Sequence, residues 1–314
     1  MIKVTADMFS GRPNPEWIVE GDEAVAVLKE LALNRGAIAE MESGFQGLGN
    51  RGLIVEPLAD DVVDQYALPS SFRIASGAGL HESKGLEVAE RLIKGMLKST
   101  PAASAFAETP EVFDEQVQKY LLDQLSSRPE ATITEATEPT LTETPSEEGD
   151  ESEQASAIRA AAACRIELGR FNPAFWNAPG VVGRNNCYNY ASNRRTDTFA
   201  QPGRASGHQY SAINCAQVGP AAVRDGARQA PNCAPDAEAP RWYMALVIAP
   251  GPGFIDYHWY RKSVEGFWGH KPGGTPARNI DNSGRVISDP RTANRGPYRI
   301  FCGFFYAQKR MRVR

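Results

Sequence analysis

Residues 242–270 read WYMALVIAPGPGFIDYHWYRKSVEGFWGH, and this stretch decides the fold of the second half of the chain. The opening apolar run predicts a buried β-strand, and residues 254–261 predict the next strand. Residues 263–266 end in glycine and turn the chain, so residues 267–270 start the partner strand of a hairpin. Residues 300–306, IFCGFFY, predict a closing strand. Together these segments indicate an antiparallel sheet.

Charge divides the chain into three parts. Residues 1–128 carry 12 Lys/Arg and 20 Asp/Glu (net -8), residues 129–157 carry nine acids and no base (net -9), and residues 158–314 carry 22 Lys/Arg and nine acids (net +13). This division predicts a small accessory domain, a disordered acidic linker rich in Glu, Thr, Ser and Pro, and a basic domain. The linker is interpreted as a spacer or as a mobile acidic cover for the basic domain.

The N-terminal part has the pattern of an α+β domain. Residues 2–6 alternate like a strand, and Asp22 is expected to cap an amphipathic helix. Further strands are predicted at 49–57 and 71–75, and helices at about 86–98 and 110–126. The proline-rich loop Ser-Gly-Arg-Pro-Asn-Pro-Glu-Trp at residues 10–17 has turn chemistry. Arg12 and Trp17 in it are candidates for a binding loop, with a purely structural role as the alternative.

Several classes of protein are disfavoured by composition. No apolar run approaches eighteen residues, so no membrane span is expected. The start lacks the pattern of a secretory signal, so the default expectation is a cytoplasmic protein, with export by a signal-independent route left open. Arginines are scattered singly, which makes nucleic acid an unlikely partner.

The five cysteines all follow residue 163. Reduced thiols are the default expectation, and a disulfide such as Cys215–Cys233 is left open. No Cys-x-x-Cys pair or Cys/His ligand spacing is present in the sequence, so neither a metal nor a cofactor is predicted.

Residues 185–191, NNCYNYA, predict the start of a helix with reactive chemistry. Asn186 is a capping type, which places Cys187 in the first turn, where free backbone N–H groups stabilise a thiolate and can form an oxyanion hole. His258 is the candidate base. His270, twelve residues later on the partner strand, would orient its ring.

Two acidic residues are candidates for supporting roles at this site. Asp281 is the rival of His270 as third member of a triad, and Asp256 shares the strand face of His258 and could accept a hydrogen bond behind it.

The order Cys187, His258, His270 resembles papain-like cysteine peptidases, especially the NlpC-type and CHAP-type amidases of bacterial cell-wall metabolism. Cys187-Tyr-Asn-Tyr-Ala191 is similar to the Cys-x-x-Tyr-Ala of the CHAP nucleophile helix, and two histidines on neighbouring strands are similar to the Cys-His-His set of the NlpC type. The resemblance implies a papain-like α+β domain with an antiparallel sheet.

By the same resemblance, the protein would cleave an amide bond in a peptide, isopeptide or peptidoglycan stem. Cys187 would attack the carbonyl, His258 would move the proton, and His270 or Asp281 would hold the imidazole. A protein partner for the N-terminal domain, which resembles only uncharacterised bacterial proteins, is also left open. The alternative is a non-enzymatic binding or interaction protein with buried cysteines and an aromatic-lined groove.

Overall fold

The computed structural model describes residues 1–58, 65–102, 114–127, 166–232 and 241–314. Within these ranges the chain forms helices and two antiparallel sheets, which confirms the mixed α+β class. The predicted acidic linker, the start of the predicted helix at 110, and two of the five cysteines, Cys164 and Cys233, lie outside the described residues.

The first sheet has the strand order β4-β3-β1-β2-β5, and its four strand pairings are antiparallel. Alternate residues of its strands are buried against three helices, which gives the sheet one core face and one outer face. The strands are β1 (Ile2–Ala6), β2 (Glu16–Val19), β3 (Leu53–Pro57), β4 (Phe72–Ile74) and β5 (Thr100–Pro101); the helices are α1 (Gly21–Leu33), α2 (Glu82–Gly95) and α3 (Glu115–Ser126).

Helix α1 differs from its prediction at its first turn. Glu20, not Asp22, is the N-cap residue, and no side chain caps the helix. Asp22 lies in the first turn, where a carboxylate interacts favourably with the positive end of the helix dipole. The buried face is formed by Ala24, Val27, Leu28 and Leu31.

The second sheet has the order β6-β10-β7-β8-β9 and contains the predicted hairpin. Strand β8 pairs with β7 along its length, and His270 on β9 lies opposite Tyr260 on β8. The strands are β6 (Arg228–Gln229), β7 (Arg241–Pro250), β8 (Ile255–Lys262), β9 (Trp268–His270) and β10 (Ile300–Gln308); the helices of this half are α4 (Pro173–Asn177), α5 (Cys187–Ala191) and α6 (Cys215–Arg224).

Both faces of the second sheet are buried. One face joins the core of the first sheet and its helices, through Ala245, Val247, Ala249, Tyr260 and Trp268. The other face packs on α5 and α6, through Met244, Leu246, Ile248, Tyr257 and Trp259. Because one hydrophobic cluster contains residues of both halves, the expected division into separate domains at 1–128 and 158–314 is not confirmed.

The loop at residues 10–17 is the seam between the halves. The carboxylate of Asp256 accepts hydrogen bonds from the backbone N–H groups of Ser10 (2.5 Å), Gly11 (3.1 Å) and Arg12 (3.1 Å), and from the hydroxyl of Tyr298 (2.6 Å). Four donors on one buried carboxylate fix the loop on strand β8.

The carbonyl of Gly11 completes this seam. It accepts from Asn186 Nδ2 (2.7 Å), Gln201 Nε2 (2.8 Å) and the hydroxyl of Tyr257 (3.0 Å). A Cβ atom at Gly11 would lie 2.4 Å from the Tyr257 ring, so the close approach requires glycine. These contacts give the loop a structural role.

A disulfide joins Cys215, the first residue of α6, to Cys302 on β10, with the two Cα atoms 5.2 Å apart. The expectation of reduced thiols is therefore wrong for this pair. Cys233, the partner considered from sequence, is outside the described residues. Cys187 is a free, buried thiol.

Candidate functional site

Helix α5 is fixed by a network of asparagines. Asn186 is its N-cap residue, and its Oδ1 accepts from the N–H groups of Tyr188 and Asn189. Asn189 reciprocates, with its Oδ1 accepting from the N–H of Asn186 (3.2 Å) and of Ala200 (3.0 Å). This capping box satisfies the first backbone donors of the helix internally. Those donors are consequently committed to the protein itself.

The thiol of Cys187 is completely buried. Its Sγ lies 3.9 Å from the backbone carbonyl oxygen of Tyr257, to which the S–H donates. Burial, and secondarily the nearby carboxylate of Asp256, raise the pKa of this thiol well above its usual value. At neutral pH Cys187 is thus a protonated thiol in the packing between α5 and β8.

The two predicted histidines lie together. His258 Nε2 and His270 Nδ1 are 2.9 Å apart, and His270 Nε2 lies 2.9 Å from the carbonyl oxygen of Ile280. A carbonyl can only accept, so Nε2 of His270 carries its proton and Nδ1 accepts from His258. Burial lowers the pKa of His270 to about 3, and burial with the neighbouring His270 lowers that of His258 well below its usual value. Both rings are therefore neutral at pH 7.

Cys187 and His258 lie on different faces of the second sheet. Val247, the cross-strand partner of His258, belongs to the core that faces the N-terminal half. The ring of His258 packs there against Tyr260 and Tyr298. Cys187 packs on the opposite face, in the cluster that contains Tyr257 and Trp259. The two histidine rings are hydrogen-bonded to each other, whereas the Cys187 thiol donates to the backbone carbonyl of Tyr257.

The two candidate acids have other partners. Asp256 holds the seam loop, as described above. Asp281 accepts from the backbone N–H groups of Ser283 (2.8 Å), Arg285 (3.1 Å) and Asn294 (2.8 Å), and so organises its own turn. The imidazole of His258, which Asp281 was expected to hold as the rival of His270, is paired through Nε2 with Nδ1 of His270 instead.

Lys271 is a buried charged residue that the sequence interpretation missed. Its Nζ donates to the carbonyl oxygens of Val182, Asn185 (2.5 Å) and Gly273 (2.8 Å), so all three donors are used. Burial lowers its pKa to about 7. Lys271 thereby anchors the segment that leads into α5. No local pattern marks it, because its partners are backbone carbonyls and two of them are more than 80 residues away in sequence.

In the part of the chain that the structure describes, no group of three or more His, Cys, Asp or Glu side chains is arranged to hold a metal ion. Over the same residues, no helix has the length and apolar character needed to cross a membrane.

A cleft of about 370 Å³ opens where the outer face of the first sheet meets residues 274–276. At its floor, Asp7 is buried and paired with Arg51 Nη2 (2.6 Å) and Arg73 Nη2 (2.5 Å), and these cations hold the pKa of Asp7 well below its usual range. We call this hollow the acidic cleft, because three glutamates also line it, Glu16, Glu42 and Glu56.

Two further side chains define the chemistry of the acidic cleft. Lys3 lies 2.7 Å from Glu56 and 3.8 Å from Glu16 and partly neutralises them. Gln46, which lines the cleft, is only 7% exposed, and its buried Oε1 has no hydrogen-bond partner among the described residues. The cleft therefore presents acceptors in excess of donors.

No family model matches this sequence, and no solved structure matches it. The chain is similar to insoluble matrix shell protein 1 of Ruditapes philippinarum, with 49% identity over 151 residues. The match covers 48% of this chain and 98% of that protein. Since nearly the whole of that protein is matched at this identity, the chain belongs to the insoluble matrix shell protein 1 family.

Proposed function

We propose that this chain is a non-enzymatic structural protein of an insoluble extracellular matrix. The observation that carries the non-enzymatic part is the environment of Cys187, which is fully buried and donates its S–H to the backbone carbonyl of Tyr257. The matrix role follows from the related protein, which is named for the insoluble matrix of a shell.

The chemistry of Cys187 supports this proposal. A nucleophilic cysteine works as a thiolate, in an electropositive and partly exposed site beside a base. Cys187 has a raised pKa, and its S–H donates to a backbone carbonyl. The N–H groups that could have formed an oxyanion hole have protein partners: those of Tyr188 and Asn189 donate to Asn186, and that of Cys187 donates to the carbonyl of Ser10 (3.5 Å). These features match a thiol that fills space in a core.

The disulfide supports an extracellular location. Disulfides persist in oxidising compartments and are rare in the reducing cytosol. Cys215–Cys302 joins residues 87 positions apart and ties α6 to β10. We therefore propose that the protein acts outside the cytoplasm, instead of in the default location expected from sequence.

Fractionation of the cells that make the protein tests the matrix role. We expect the full chain in the insoluble extracellular material, with Cys215 and Cys302 oxidised as judged by alkylation before and after reduction. A Cys215→Ser/Cys302→Ser variant in the same cells is the control for the thiol assay. Recovery of the wild-type chain in the soluble cytosol with both thiols reduced would contradict the proposal.

Amide hydrolysis by a papain-like cysteine enzyme stays a second candidate, favoured by the position of Cys187 in the first turn of α5. Iodoacetamide at pH 7 distinguishes the two. For a structural protein we expect no labelling of Cys187 in the native state and full labelling in urea, with Cys187→Ala as the control. Rapid labelling of the native thiol would favour the hydrolase.

A further inference from the structure

We propose that the acidic cleft binds the arginine patch of a second copy of this chain, so that copies join head to tail. The arginine patch is the exposed basic surface formed by Arg224, Arg310 and Arg312 around one hollow. This inference rests on the proposed function and names the partner that builds the matrix.

The cleft has the chemistry of a receptor for a cationic donor. Its carboxylates and the buried Oε1 of Gln46 accept hydrogen bonds, and Gln46 has no described donor for that oxygen. The cations at the cleft are already paired: Arg73 donates to Asp7 and to two backbone carbonyls, and Lys3 lies against Glu16 and Glu56. An incoming guanidinium carries five N–H donors and no acceptor, so it supplies what the cleft lacks.

The apolar part of the cleft fits the rest of an arginine side chain. Met41 and Ile54 line it beside the carboxylates, and Met41 is 36% exposed. A methylene stem can lie along such a surface while its charged end reaches an acid. A hollow of about 370 Å³ lies near the lower end of the range for ligand pockets, roughly 300–1,000 Å³. It therefore admits one or two side chains and not a folded domain.

The charge distribution makes a second copy the natural occupant. Residues 1–128, which supply most of the cleft, have a net charge of -8, and residues 158–314 have a net charge of +13, with 19 arginines among 22 bases. Within the latter, Arg224, Arg310 and Arg312 surround one hollow of about 300 Å³ and lie close together on the surface. Opposite potentials on the two surfaces steer association between copies.

The geometry favours open-ended growth. The acidic cleft and the hollow of the arginine patch share no residue. A contact between two different surfaces of identical chains is heterologous, and it extends into filaments unless its rotation closes a ring. A contact made by a few exposed charges is weak for each pair and is screened by salt.

Sedimentation velocity on the full, oxidised chain tests the contact. At about 50 mM NaCl we expect the weight-average sedimentation coefficient to rise with protein concentration beyond that of a dimer. At about 0.5 M NaCl, where the screening length approaches a few ångströms, we expect monomer. A monomer at all concentrations in low salt, or growth that salt does not affect, would overturn the proposal.

Charge reversals locate the two surfaces. Glu42→Lys in the cleft and Arg312→Glu in the patch should each weaken association at least about ten-fold, because they set like charges against each other. Glu87→Lys on α2 and Arg285→Glu are matched reversals away from both surfaces and should leave association unchanged. Equal effects from these controls would show that only net charge matters and would refute the assigned surfaces.

Mixing the two variants gives the decisive result. The Glu42→Lys chain keeps a native patch and the Arg312→Glu chain keeps a native cleft, so a 1:1 mixture should regain a heterodimer that neither variant forms alone. Gln46→Leu removes this acceptor without changing charge, and also removes the hydrogen bond from Nε2 to the carbonyl of Ser43 (2.9 Å), so it should weaken self-association with at most a small fall in Tm. Absence of the heterodimer, or Gln46→Leu association equal to wild type, would reject the cleft as the receptor.

The outcomes separate this inference from the proposed function. Monomeric protein that still enters the insoluble extracellular fraction would reject the head-to-tail contact alone. Rapid native labelling of Cys187 would reject the structural role, whatever the sedimentation experiment shows.

Discussion

Removing the Cys215–Cys302 disulfide should lower the free energy of unfolding by about 4–5 kcal/mol. The two cysteines are 87 positions apart, so the bond closes a long loop in the unfolded chain. In the chain-entropy account a loop of that length loses about 15 cal/mol/K, which corresponds to about 4.6 kcal/mol at 25 °C. With an m-value of about 3 kcal/mol per molar urea, the midpoint of unfolding would fall by about 1.5 M.

Urea titration of the Cys215→Ser/Cys302→Ser variant, followed by tryptophan fluorescence, measures this effect. The buried Trp259 lies on the sheet face that packs on α6 and reports on this core. Wild-type protein pretreated with a reductant should show the same shift, and the double variant should not respond to the reductant. A double variant within about 1 kcal/mol of the oxidised wild type would refute the reasoning.

Three more predictions concern the seam, the buried ion pair and the core shared by the two halves. Gly11→Ala should destabilise the protein by at least about 1–3 kcal/mol through overpacking against Tyr257, whereas Gly95→Ala, with open space around it, should be neutral or stabilising in thermal melts. Asp7→Asn should cost about 3–5 kcal/mol at pH 7 by leaving two buried arginines without their anion. Because the native pKa of Asp7 is depressed, its contribution to the free energy of unfolding is present above about pH 4 and is lost as the pH falls. Urea titrations of wild type and Asp7→Asn should therefore converge below about pH 4. A constant difference between them down to about pH 2 would contradict this prediction. A single protease cut within residues 129–157 should leave two fragments that co-elute in gel filtration and unfold in one transition, since they share a core; separate elution would contradict it.

Local patterns were sufficient for much of the fold. The β8–β9 hairpin follows from two aromatic strands around a glycine turn, and the spacing of twelve residues correctly makes His258 and His270 neighbours. The start of α5 follows from the capping preference of Asn186. These features depend on residues close together in sequence, where propensity and spacing carry the information.

The face of the sheet on which Cys187 packs could not be predicted in this way. A strand exposed on one side shows alternating polarity, but β8 is buried on both sides, and both of its residue sets contain aromatics. The residue types on the two faces of β8 predict burial equally well. One face carries Asp256, His258 and Tyr260, and the other carries Tyr257, Trp259 and Arg261. Which set meets α5 is decided by long-range packing.

The packing of the two halves against each other could not be predicted from the sequence for a related reason. The contrast in net charge between residues 1–128 and 158–314 describes their surfaces, whereas the shared core is apolar on both sides. The seam itself uses backbone atoms of Ser10, Gly11 and Arg12, which have no side-chain signature. The one sequence feature that reflects the seam is the glycine before Arg-Pro, because the close approach of Gly11 to Tyr257 requires a residue without a side chain.

The position of β10 inside the second sheet, between β6 and β7, sets the order in which the protein can fold during synthesis. Strand β1 is the first described strand to leave the ribosome and β10 is the last, yet β10 separates β6 from β7 and pairs with both. Until residue 300 has emerged, β7 has an open edge, and the apolar surface of the N-terminal half has no complete sheet to cover it. Pairings between residues so distant in sequence are slow to form. The nascent chain therefore exposes the unpaired edge of β7 from the synthesis of residue 250 until residues 300–308 have emerged.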